Sequence, residues 1–311
     1  MESNNNNNNN NATQGTYSTE RMGESSRMFI SHIKQYFASL PIFALFVIAI
    51  SWLIALADVP GRMTQSHMPL ISQWLYLSVN KVLSHWQGHR ILLYPLASPG
   101  FSLLITNTLL TLPYMAAMER KHGTLKLAWL LITFYTCGIG LVYIVLLGIF
   151  RTSTVWIESS YVAGLSGWAV ALSVWSAMED ESEGQSNDRM LFGVIRIPGR
   201  VMPYLIIAFY LFLVPDTSLL LHLLAAGVAF LYFTKRIPAR FLPSDDMYKH
   251  YEGRTWLERI TSSTRFVSMD AATSGYLPIH NATSSHISTP AVSHNVNVGG
   301  FPGQGQRLGD E

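Results

Sequence analysis

Six stretches of the chain are apolar and free of charge: Leu40–Ala57, Phe101–Met118, Leu127–Ile149, Tyr161–Met178, Val201–Pro215 and Thr217–Thr234. A helix needs about 20 residues, within a range near 17–25, to cross the hydrocarbon core of a bilayer. Helices also satisfy their own backbone hydrogen bonds in lipid. The pattern therefore predicts an all-α chain with six transmembrane helices; the fifth segment, which contains Pro203, falls short of the usual length. Polar segments flank this region. Residues 1–36 include an unbroken asparagine tract from Asn4 to Asn11, and residues 237–311 are rich in Ser, Thr, His, Gly and Asn without sustained periodicity. Neither flank carries enough apolar side chains to bury a core, so both are expected to be disordered tails around a 37–236 membrane domain. A self-associating role for the asparagine tract rests on composition alone.

The loop from Asp58 to Gly100 has its own pattern. Ile71, Trp74, Leu75, Val79, Val82, Leu83 and Trp86 recur at spacings of three and four. Such a stripe predicts an amphipathic helix, lying in the membrane interface or packed on protein. Cations fix the expected orientation. Arg21, Arg27 and Lys34 precede the first span, Arg120, Lys121 and Lys126 separate the second from the third, Arg189, Arg196 and Arg200 precede the fifth, and Lys235, Arg236 and Arg240 follow the sixth. All four groups fall on one side of a six-span chain, which predicts that both termini are cytosolic.

Composition agrees with this picture. The 311 residues are 49% hydrophobic and 13% charged, against about 25% charged in soluble domains. The net charge of +2 gives no reason to expect a nucleic-acid partner. Cys137 is the sole cysteine, so no intrachain disulfide forms. The first 35 residues lack the apolar core and small-residue cleavage site of a secretory signal.

Ionisable groups inside a membrane are costly and usually functional. Across the six segments there is one imidazole, His222, and no Asp, Glu, Lys or Arg. The fourth segment carries Gly164-Leu165-Ser166-Gly167. Serine becomes a useful nucleophile when a nearby base takes its proton. Ser166 and His222 both lie near the start of even-numbered spans, at similar expected depth. Gly164 and Gly167 would let a helix or a substrate backbone approach closely. His85 and His89 stand four residues apart, but Trp86 follows the first and no third ligand is evident, so no metal or cofactor is expected.

A Gly-x-Ser-Gly in the fourth span and a His followed by small residues in the sixth resemble the rhomboid intramembrane serine proteases. Arg90 in the first loop, Asn107 in the second span and Glu119-Arg120-Lys121-His122-Gly123 after it agree with that family in order and register. The resemblance implies a six-helix bundle and a Ser166–His222 dyad without Asp. It also implies an oxyanion hole formed by the Asn107 side chain and the Ser166 N–H, and a substrate that enters near the second and fifth spans. Five positions depart from the family. Leu103 stands where many members have His four residues before the Asn, and Ser98 stands where many have a second His. Val170 stands where an aromatic often stacks on the catalytic His. Ala225 and Ala229 replace the usual glycines after His222.

At the C-terminus, Phe301-Pro-Gly303-Gln-Gly305-Gln-Arg-Leu308-Gly309 resembles an SHP box, which docks on the AAA ATPase called valosin-containing protein. Phe301 and Leu308 would be apolar anchors, and Gly303 and Gly305 would let the backbone lie close. A rhomboid core with an SHP box is similar to the fungal Golgi rhomboids that help process sterol regulatory element-binding protein precursors. This similarity implies a Golgi membrane protease with a transmembrane protein substrate. A derlin-like quality-control factor without catalysis is the alternative: Leu103 and Val170 favour it, Ser166 and His222 oppose it. A transporter would normally show more intramembrane charge or an internal repeat.

Overall fold

The computed structural model describes residues 27, 30–31, 34–63, 70–149, 161–184, 188–191, 195–214 and 217–273. All of these belong to the unit Met1–Tyr276; the segment Leu277–Glu311, with its SHP-like motif, lies outside the described residues. Each of the six apolar segments contains a helix. They are α1 (Ile42–Ala57), which Val59–Met63 continues, and, after three short loop helices, α2 (Ile71–Leu75), α3 (Val79–His85) and α4 (His89–Leu93), the long helices α5 (Phe101–His122) and α6 (Thr124–Ile149). Then come α7 (Ser166–Ser182), α8 (Met202–Leu213) and α9 (Leu219–Phe233). Three of these are long and apolar enough to cross a membrane: Ile42–Met63, Phe101–His122 and Thr124–Ile149. The other three are shorter than six full spans require. A small antiparallel hairpin, β1 (Asp188–Leu191) and β2 (Ile195–Pro198), sits between α7 and α8, a strand pair the apolar pattern did not predict.

The centre of the bundle is α7. Ala169, Val170, Ala171 and Leu172 are consecutive and buried, so every face of the helix has a neighbour. Its most extensive contact is with α9, on the side where small Gly167 meets Leu221 and Ala225. Against α6 it is held by a polar contact. There Thr133–Gly138 forms a π-turn, the Thr136 hydroxyl donates to the Leu131 carbonyl at 2.8 Å, and the Trp168 indole donates to the same Thr136 oxygen at 3.0 Å. A π-turn frees a carbonyl, and Thr136 satisfies it. In α8, Pro203 occupies the first turn, where its missing N–H costs nothing, so it starts the helix rather than breaking it.

Glu119 at the end of α5 organises one end of the bundle. Its carboxylate accepts the Phe43 and Ala44 N–H groups at 3.0 and 2.9 Å and the Thr124 hydroxyl at 2.8 Å. The first N–H groups of a helix lack internal partners, and a buried anion there satisfies both hydrogen bonding and the helix dipole. Arg120 reaches the Ser39 carbonyl at 2.7 Å, and Gly123, at φ +85°, turns the chain into α6.

Two expectations need correction. The amphipathic stripe of the first loop is not one helix. It breaks at Tyr76–Ser78, where Leu77 and Val162 exchange two backbone hydrogen bonds of 2.9 Å. Arg90 holds the break closed by donating to the Gln73 and Tyr76 carbonyls at 2.8 and 2.7 Å, and Asp58 accepts the first N–H groups of α2. Ile71, Trp74, Leu83 and Trp86 remain exposed. Nor does disorder begin at residue 237. Short helices α10 (Asp245–Glu252), α11 (Glu258–Thr261) and α12 (Met269–Thr273) fold back on the bundle. The Arg265 and Val267 carbonyls accept the Ile42 and Thr124 N–H groups at 3.1 and 2.9 Å, and Lys126 pairs with Asp245 at 2.8 Å. Most of these partners are backbone groups left over at helix ends, which no hydrophobic pattern reveals.

Candidate active site

The chain enters α7 through an irregular stretch pinned on several sides. Val162 pairs with Leu77, the Gly164 N–H donates to the Tyr94 carbonyl at 2.9 Å, and Leu165 accepts the Thr111 hydroxyl at 3.5 Å. Gly164 has φ +93°, a region side chains rarely adopt. A Cβ there would also fall 2.5 Å from the Asn107 Nδ2. Glycine is thus required at 164 on two counts. Gly167 is different: a Cβ would meet Leu221 at 3.4 Å, an ordinary contact.

Ser166 is the first residue of α7, and no side chain caps that end. Among the described residues, no hydrogen bond is made by the N–H groups of Ser166, Gly167 or Trp168. Such a helix start presents unpaired donors and the positive end of the helix dipole. Ser166 is 2% exposed, His222 1% and Asn107 1%, so all three lie inside the bundle.

His222 sits in the first turns of α9, whose N-terminus is capped by the Ser218 hydroxyl accepting the Leu221 N–H at 3.4 Å. Its Nε2 is buried without a hydrogen-bond partner among the described residues. No hydrogen bond joins Ser166 to His222 in this state, although they lie on the two most closely packed helices. Nucleophile–base contacts of this kind often tighten only when substrate is bound. Beside them, the Tyr210 hydroxyl of α8 donates to the Asn107 Oδ1 at 2.9 Å. The Tyr210 ring faces His222 at 5.1 Å between centroids and 37° between planes. Leu103, Ser98 and Val170 are all buried, and the Ser98 hydroxyl is spent on the Gly100 carbonyl. Asn107 thus stands beside Gly164 and, through Tyr210, next to His222, while Ser166 follows Gly164 by two positions on the helix packed against that of His222. Sequence reasoning missed Tyr210. Its only signal was a phenol hydroxyl in an apolar span, and nothing in its spacing names the partner.

Among the described residues, no group of three or more His, Cys, Asp or Glu side chains is placed to hold a metal ion. Phe301, Gly303, Gly305 and Leu308 lie outside the described residues.

A family model described as Rhomboid domain matches residues 85–238, a stretch that contains every residue of this site. The chain is 27% identical over 249 residues to "Rhomboid-type serine protease B" from two strains of Aspergillus fumigatus, covering 79% of this chain and 84% of that protein. It is 27% identical over 228 residues to "Rhomboid-type serine protease 2" of Eremothecium gossypii, covering 71% of this chain and 79% of that one.

Proposed function

We propose that this chain, whose residues 85–238 match the Rhomboid domain, is an integral membrane serine protease of the rhomboid kind that hydrolyses a peptide bond in or near the transmembrane segment of a membrane protein, with Ser166 as nucleophile and His222 as general base. The observation that carries this reading is the position of Ser166: it starts a buried helix, with N–H groups that have no partner among the described residues and a buried imidazole on the adjoining helix. The Ser166 hydroxyl attacks the scissile carbonyl while the His222 Nε2 takes its proton. The carbonyl oxygen becomes an oxyanion held by the Ser166 N–H and the Asn107 Nδ2. Collapse of this intermediate transfers the proton from His222 to the leaving amine, and water then releases the acyl group by the same steps. No carboxylate takes part; packing and the Tyr210 ring hold the imidazole instead.

Six spans with both termini in the cytosol suit the cation placement, and substrate entry beside α5 and α8 suits the family resemblance. In that arrangement the C-terminal motif Phe301–Gly309 faces a cytosolic AAA ATPase of the valosin-containing-protein type, and the Golgi membrane and a sterol regulatory element-binding protein precursor are the corresponding location and substrate. The test is cleavage of a purified single-span substrate in detergent, with the product masses mapping the cut. Cleavage inside or beside the span is expected, and it persists in Phe301→Ala/Leu308→Ala, which no longer captures the ATPase. No cut by the wild type, with the protein folded, would leave the derlin-like reading, which Leu103 favours. Capture of the ATPase by the double variant would remove the docking motif.

A further inference from the structure

We propose that Tyr210 is a positioning residue that sets the orientation of the Asn107 amide, so that its nitrogen rather than its oxygen faces the reacting carbonyl. This rests on the proteolytic reading above and adds a residue to it. An asparagine side chain has a donor end and an acceptor end of nearly equal shape. Only the donor end stabilises an oxyanion, and a half-turn of the amide would put a repelling oxygen in its place. In this site the ends are distinguished. The Tyr210 hydroxyl, on a side chain with no exposed surface, donates to the Asn107 Oδ1 at 2.9 Å. The Nδ2 is left facing the backbone at Gly164, two residues before the nucleophile, and donates to no group among the described residues. A tyrosine hydroxyl can also accept, but the donor end of the amide already has a place beside Gly164, so a flip would put the carbonyl oxygen there and leave the Tyr210 proton without its acceptor.

The same side chain acts a second time. Its ring lies 5.1 Å from the His222 ring, and His222 has no hydrogen bond at Nε2 to hold it among the described residues. Val170, fully buried on α7, offers no ring. One residue of α8 thus restrains the oxyanion donor on α5 and the base on α9. The consequence for catalysis is specific: the hydroxyl acts through Asn107, and the ring acts through His222. Where a His at position 103 would add a second side-chain donor, Leu103 leaves Asn107 as the side-chain donor to be oriented, which makes its orientation matter more.

The test is a set of kinetic parameters for full-length protein on the single-span substrate. One oxyanion donor is typically worth about 10²–10³ in kcat. Tyr210→Phe, which removes one oxygen and keeps the ring, is expected to lower kcat roughly tenfold or more, with KM little changed, because a freely flipping amide still donates part of the time. In an Asn107→Ala background the same change has no further effect, whereas Tyr210→Leu lowers kcat in both backgrounds by removing the ring. Asn107→Asp, which keeps an acceptor for Tyr210 but has no amide donor, falls as low as Asn107→Ala. A wild-type kcat in Tyr210→Phe, or an equal loss from it with and without Asn107, overturns the inference. So does full activity of Asn107→Asp, a result that does not depend on how well the tyrosine variants fold. Ser166→Ala separates the two levels of failure: if it cleaves as fast as wild type, the proteolytic reading falls; if it is inactive, the tyrosine results bear on Tyr210 alone.

Discussion

Ser166→Ala and His222→Ala are each expected to abolish proteolysis, by on the order of 10⁴-fold or more, and the double variant is expected to be no worse than either. In the proposed mechanism the two side chains do one job. Without His222, the Ser166 hydroxyl keeps its proton and attacks slowly; without the hydroxyl, the imidazole has nothing to activate. Each loss therefore already contains the other. Both side chains are buried, so folding must be checked for each variant. Ser166→Ala removes one oxygen that makes no hydrogen bond to a described residue, so it is expected to melt at or near the wild-type temperature. Robust turnover by either folded single variant would rule out the dyad, and losses that multiply in the double variant would mean that the two residues act independently.

Gly164→Ala is expected to be nearly as damaging, though it removes no chemical group. The new Cβ would lie 2.5 Å from the Asn107 Nδ2, closer than atoms pack, and it would sit on a backbone at φ +93°. Such a conformation costs about 1–3 kcal/mol for a residue with a side chain. The amide must swing away or the 161–165 stretch must move, and either displaces a proposed oxyanion donor. Activity is expected to fall by at least the roughly 10²–10³ that such a donor is worth, with a lower melting temperature. Gly167→Ala, whose Cβ meets Leu221 at an ordinary 3.4 Å, is expected to lose much less. Wild-type rates in Gly164→Ala, or equal losses at the two glycines, would show that the close approach to Asn107 is unimportant.

The contrast between these glycines marks what could be read from the sequence. The motif Gly164-Leu165-Ser166-Gly167 stood out in the sequence, but both glycines looked alike there. Their difference comes from a strand-like pairing of Val162 with Leu77, across 85 positions of chain, which no local pattern encodes. The same pairing explains why the fourth helix begins at Ser166 rather than near Tyr161, and so why the serine N–H has no partner among the described residues. The six apolar segments were legible because burial in lipid or core demands uncharged runs, and a helix lies in every one. Their limits were not: α8 and α9 are shorter than the runs that contain them, because flanking turns such as Val214 and Ser218 use apolar or small residues too, and α7 starts late in its run and continues past it to Ser182. Segment 239–273 was read as tail because it buries few apolar side chains, chiefly Tyr248, Leu257 and Met269. Its anchors to Ile42, Thr124 and Lys126 are backbone groups and one ion pair. Tyr210 was invisible for a related reason: a phenol in an apolar helix has no meaning until the helix facing it is known.

The measurement that bears most directly on the Ser166–His222 assignment is covalent labelling of the folded protein by a fluorophosphonate, located by mass spectrometry. Such a probe reacts with a serine only when a base has activated its oxygen. A single adduct on Ser166, lost in Ser166→Ala and reduced at least a hundredfold in rate in His222→Ala, is the result expected of a working dyad. An adduct on another residue, or labelling of Ser166 at an unchanged rate when His222 is replaced, would contradict it.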